Sequence, residues 1–94
     1  MSREQLARIL QVALLGEVSP ALRGVAFGTG DRDIRIAFYF DGPVSEEDRE
    51  SASCVVTEVI AAVPEDFNVS EEVIRIDVPG RLPDSEAWAY RRRE

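Results

Sequence analysis

The chain contains no histidine and no lysine. The first absence removes the commonest general base and the commonest nitrogen ligand for transition metals. The second removes Schiff-base chemistry. All eleven basic residues are therefore arginines. There is one cysteine, Cys54. It can form no intramolecular disulfide, and with no His it lacks the base that would make it a nucleophile. A small structural helix residue is the expected role. No apolar run approaches the roughly 18 residues of a membrane span. Met1-Ser2-Arg3-Glu4-Gln5 does not read as a signal peptide, so a cytoplasmic protein is expected.

What is present is an ordinary globular composition. The 94 residues are 45% hydrophobic, which suits a single α+β domain over residues 1–94. Eighteen acids against eleven bases give a net charge of −7. Such a surface is repelled by phosphate backbones and anionic lipid, so neither nucleic acid nor membrane is an expected partner. A basic protein is. Arg91-Arg92-Arg93 beside Trp88 and Tyr90 has the composition of a single-strand-binding patch. The overall charge argues for a solvated strand end instead, or for pairing with the acidic face of the same molecule.

Ser2 followed by Gln5 is a capping box. Leu6, Ile9, Leu10, Ala13 and Leu14 recur at helical spacing, which predicts a first helix over 2–15, stopped at Gly16. Leu22 to Phe27 reads as a strand, and Gly28-Thr29-Gly30-Asp31 as a turn. Asp33 to Phe40 alternates cleanly and should pair with the first strand as a hairpin. Ser45 caps a second helix over 46–63, with Ala52, Val55, Val56, Val59, Ile60 and Val63 on its apolar face and Pro64 at its end. Phe67 to Val78 reads as a strand whose apolar parity switches, from Phe67 and Val69 to Ile74, Ile76 and Val78. A bulge near 70–73 would reconcile the two. Glu86 to Arg92 reads as a last strand. The order α-β-β-α-β-β looks like a helix-plus-hairpin unit used twice. It predicts a four-stranded, mostly antiparallel sheet with two helices packed on one face. The other face is expected to be partly open, exposing some of Ala37, Tyr39, Arg75, Asp77, Trp88 or Tyr90.

No motif here carries chemistry. Asp31 and Asp33 lack the ligand ladder of a calcium loop. The Asp31/Asp33 and Glu71/Glu72 pairs lack the apolar flanks that would split two carboxyl pKa values. Gly28-Thr29-Gly30 lacks the helix and lysine of a phosphate cradle. Catalytic, cofactor and metal sites are thus expected to be absent. The informative feature is charge: Glu47, Glu50 and Glu58 stand at offsets 0, 3 and 11, on one helix face. Asp31 and Asp33 complete the acidic set. A solvated face and a docking surface for a basic protein are both compatible with it.

Several stretches carry a resemblance. They are Leu14-Leu15-Gly16-Glu17, Phe38-Tyr39-Phe40-Asp41-Gly42, Ser45-Glu46-Glu47-Asp48, Glu58-Val59-Ile60-Ala61 and Ile74-Arg75-Ile76-Asp77. Over nearly its whole length the chain resembles small bacterial α+β proteins, some of which occupy the immunity position of contact-dependent or polymorphic toxin systems. The resemblance implies a non-enzymatic, cytoplasmic protein-binding module that occludes a basic toxin such as a nuclease. The alternatives are a secretion-chaperone-like dimer and a small domain with no enzymatic role. A metal-dependent enzyme built on the paired carboxylates ranks behind both. Monomer and homodimer are both open.

Overall fold

Ser2 starts the first helix as its capping box predicts. The Gln5 backbone N–H donates to Ser2 Oγ at 3.1 Å, and the Ser2 N–H donates to Gln5 Oε1 at 2.8 Å. The computed structural model describes residues 1–85 and 87–94. Its elements are α1 (Arg3–Ala13), β1 (Leu22–Thr29), β2 (Asp33–Phe40), α2 (Glu46–Ala62), β3 (Asn68–Arg75) and β4 (Ala87–Arg91). The predicted order holds. The expected start of the last strand at Glu86 lies outside the described residues.

β1 and β2 form the expected antiparallel hairpin, with Val25 opposite Phe38 and Phe27 opposite Ile36. The turn closes through the Gly30 N–H on Asp33 O, and Arg32 takes the left-handed conformation at φ 60°. The second hairpin does not form. The strand order is β3-β2-β1-β4, so the last two strands lie at opposite edges of the sheet. β3 runs parallel to β2, and β4 runs antiparallel to β1. A parallel partner needs a crossover, and α2 supplies it. The sheet is mixed, with two of its three pairings antiparallel.

Both helices cover one face. Leu6, Leu10, Val55 and Val59 meet Val25, Ile34, Ile36 and Phe38 in the main core. Val56 is buried there as its helical phase predicts, whereas Ile60, expected on the same stripe, lies at its margin and is 54% exposed. Val56→Ala removes two buried methyl groups and should cost about 2 kcal/mol, measured by urea unfolding. An unchanged midpoint would contradict this packing.

The opposite face, expected to be partly open, leaves Ala37 and Trp88 half-buried but covers Tyr39. Leu82, from the segment after β3, folds back on Ala26 and Tyr39 to make a second, smaller core with Ile74, Ile76 and Trp88 around it. Tyr39 is only 7% exposed and stacks at a tilt on Trp88, ring centroids 5.9 Å apart. Tyr90 points to the helix side instead. This second core explains the parity switch in β3. No bulge is needed, since the β2–β3 register is regular from Asp33↔Asn68 to Phe40↔Arg75. Phe67, Val69 and Val73 serve the main core, and Ile74 and Ile76 serve the smaller one. The irregularities fall elsewhere: Arg23 is the extra residue of β1 against β2, and Ala89 is the extra residue of β4 opposite Val25 and Ala26.

Candidate functional site

α2 begins beside the Phe40 end of the sheet, because only Asp41 to Ser45 separate it from β2. It ends beside the β1–β2 turn, where β3 starts opposite Asp33. Its N-cap is Ser45, whose Oγ accepts the Asp48 N–H at 3.0 Å. Glu46, Glu47 and Asp48 fill its first turn, where the helix dipole favours anions. With Ala52, Val55, Val56 and Val59 facing the sheet, the outer face is set by the helical period. Glu47, Glu50 and Glu58 all lie on it, exposed, within about 80° of one another and spread over about 16 Å of axis.

Asp31 and Asp33 are exposed in the β1–β2 turn at the far end of α2. They do not join the helix row. They lie beside the α2–β3 connection: Asp33 Oδ1 accepts from Asn68 Nδ2 at 3.4 Å, and Arg32 pairs with Asp66 at 3.3 Å. The sequence-predicted set therefore occupies one flank of the molecule, as a helix row with an acidic turn at its end. Among the described residues, no group of three or more His, Cys, Asp or Glu could hold a metal ion.

The charge is unevenly divided. Residues 46–72, which make α2, its connection and most of β3, hold nine acids and one base, Arg49. The other residues hold nine acids and ten arginines. The whole negative excess therefore sits on the α2–β3 flank. Elsewhere the charges are close to balanced, and several are tied to one another.

The principal tie is a cluster that sequence reading missed. Arg23, on β1, is 3% exposed. It donates through Nε and Nη2 to the two carboxylate oxygens of Glu94 at 2.7 and 2.8 Å, and through Nη1 to Ile76 O at 2.7 Å. This fork-on-fork geometry is the strong form of a charge-assisted bond. Arg92 adds contacts to Glu94, Asp41 and Pro20 O. Asp77 pairs with Arg75 and accepts the Gly42 N–H. The hydrogen bond from Arg23 holds the Glu94 carboxyl down at about 2, and Arg75 with the Gly42 N–H does the same for Asp77. The signal available in the sequence was Arg23 itself, a charge inside the apolar run Leu22 to Phe27. Of the tail arginines, Arg92 pairs within the molecule, with Asp41 and Glu94 and not with a carboxylate of α2.

Two hollows flank α1. One, of about 290 Å³, lies between the helices and is lined by Arg8, Ile9, Val12, Ala13, Glu58 and Ala62. The other lies toward β4 and is lined by Gln11, Leu14, Leu15, Val18, Ala89 and Tyr90. Val12 and Leu15 are 60% and 76% exposed. No helix among the described residues is long and apolar enough to cross a membrane.

The family model described as MafI2 immunity protein matches residues 3–94. Comparison with curated proteins found no match.

Proposed function

The chain belongs to the MafI2 immunity protein family, and from that premise we propose that it neutralises a basic toxin in the cytoplasm by covering it, without catalysis. Glu47, Glu50 and Glu58 present the contact row, and Asp31 and Asp33 extend it at the turn. The observation that carries this reading is the segregation of charge, nine acids and one base within residues 46–72. A fixed field of one sign steers an oppositely charged partner and raises its association rate by about 10–10³-fold. The same field repels nucleic acid, so the protein can occupy a basic substrate cleft without itself binding nucleic acid.

The test uses the tagged full chain expressed from its native locus, with capture of the toxin and its purification. The triple variant E47Q/E50Q/E58Q should associate at least about tenfold more slowly at low salt. Its rate should depend less on salt, and its melting temperature should stay close to that of the unaltered chain. Failure to capture a toxin, or a triple variant with the unaltered rate, would overturn the proposal.

A second reading, a chaperone-like homodimer, draws on the exposed Leu15 and Val18 beside Tyr90 at the β4 edge. Light scattering that gives a monomer removes it.

A further inference from the structure

A row of carboxylates accounts for rate and selectivity better than for affinity. Exposed ion pairs contribute about 0–1 kcal/mol each, whereas tight interfaces depend on a few apolar or aromatic anchors seated in pockets. The outer face of α2 offers carboxylates, Ser53, Cys54 and Thr57, and its exposed large apolar side chain, Ile60, stands outside the row, about 80° round the helix from Glu50. An anchor must come from an adjoining surface. Glu58 belongs to two surfaces at once: it ends the carboxylate row, and it forms one rim of the hollow between the helices. Ile9, Val12, Ala13 and Ala62 make the body of that hollow, and Arg8 stands on the opposite rim. Its volume of about 290 Å³ falls just below the range usual for drug-sized ligands and suits one or two side chains.

We propose that the α1–α2 groove receives an apolar side chain of the toxin, flanked by a lysine or arginine that pairs with Glu58. The proposal rests on the toxin-neutralising reading and names the anchor that reading lacks. Charge selects the occupant. A second copy docking here by two-fold symmetry could set Arg8 of each copy against Glu58 of the other, but it would also bring together two α2 flanks whose nine acids are offset by one arginine each. A head-to-tail contact between copies would give a ring or an open chain of molecules, never a closed dimer. A basic partner meets the opposite sign at Glu58 and an apolar seat beside it. Carboxylates and groove then divide the work: the row sets the rate of encounter, and the groove sets the lifetime of the complex.

The experiment measures binding kinetics of the purified toxin to the full chain. Val12→Asp should shorten the lifetime of the complex by about 10–100-fold with little effect on association. Ala62→Phe, which fills the groove without adding charge, should shorten it also. Leu15→Asp places the same charge in the other hollow and should leave the lifetime unchanged. Melting temperatures are recorded for each variant, and Val12 is exposed enough for its replacement to fold. Unaltered lifetimes for Val12→Asp and Ala62→Phe in a chain that still binds the toxin overturn the groove and leave the carboxylate row standing. An equal loss with Leu15→Asp also overturns it. Light scattering that shows a dimer broken by Val12→Asp assigns the groove to a second copy and overturns the proposal. Absence of toxin binding by the unaltered chain overturns both readings.

Discussion

Phe38→Ala is expected to lower stability by about 3–5 kcal/mol. Phe38 is 1% exposed and sits near the middle of the sheet, paired with Val25 on one side and Val73 on the other. Its ring fills the space beneath both helices, in the same core as Leu10, Val55 and Val59. Truncation removes most of a large buried side chain and leaves a cavity that two strands and two helices cannot all close around. A domain of this size holds only about 5–15 kcal/mol in total, so roughly a fifth or more of the margin is lost. Urea unfolding should show a lower midpoint with an unchanged slope. Phe38→Leu, which keeps most of the volume, should lose much less. A midpoint shift below about 1 kcal/mol for Phe38→Ala would contradict the central place of this ring in the core.

The second large effect belongs to Glu94 and is read through pH. In the folded protein its carboxyl is held at about 2 by the Arg23 guanidinium, against an ordinary 4.5. Asp77 is likewise held at about 2 against 3.8. Both are depressed, so their ionised forms favour the fold. The stability they contribute is fully present above the ordinary carboxyl values and is lost as pH falls from there toward 2. The melting temperature should therefore drop across pH 4.5 to 2. Glu94→Gln should be less stable than the unaltered chain at pH 7, because it leaves the buried Arg23 without its anion. It should also lose less on acidification, retaining the Asp77 part, so that the two curves converge near pH 2. Arg23→Met removes the buried charge together with its need for a partner. It should cost less than Glu94→Gln at pH 7, since Glu94 keeps Arg92 and partial access to water. Parallel melting curves for the unaltered chain and Glu94→Gln would show that the ion pair is not what shifts the carboxyl.

Much of the fold could be read locally. Ser2 with Gln5 and Ser45 with Asp48 announce helix starts because a capping hydroxyl acts on N–H groups two or three residues away. The strict alternation of β2 announces a strand with one buried face. The candidate surface was legible for the same reason: Glu47, Glu50 and Glu58 share a face once the helical period and the buried positions of α2 are known. The groove beside them was not legible. It exists only because α1 and α2 pack side by side, which brings Val12 and Ile9 near Glu58 and Ala62.

The parity switch in β3 marks a real conflict between two faces, but a regular strand accommodates it in place of the expected bulge. One apolar parity implies one buried face, and two parities imply a bend only if the second face is wet. Here Leu82 folds over the second face, so a straight strand serves two cores. The expected repeat of a helix and hairpin failed on similar grounds. β3 and β4 are neighbours in sequence, but β3 pairs with β2 and β4 with β1.

The sequence by itself determined the elements and their order, the buried face of each helix, and the absence of histidine and lysine chemistry. Those properties depend on residue identity and on spacings of two to four positions. Only the tertiary structure decided which strands are neighbours, that a second core lies beneath Leu82, and that Arg23 finds its carboxylate 71 residues away in Glu94. Side-chain periodicity says which way a strand faces and nothing about what lies beside it, because neighbours are chosen by long-range packing of the whole chain. The acidic flank belongs to both levels: its carboxylates are written in order along residues 46–72, and the crossover of α2 onto β3 gathers them on one side of the molecule.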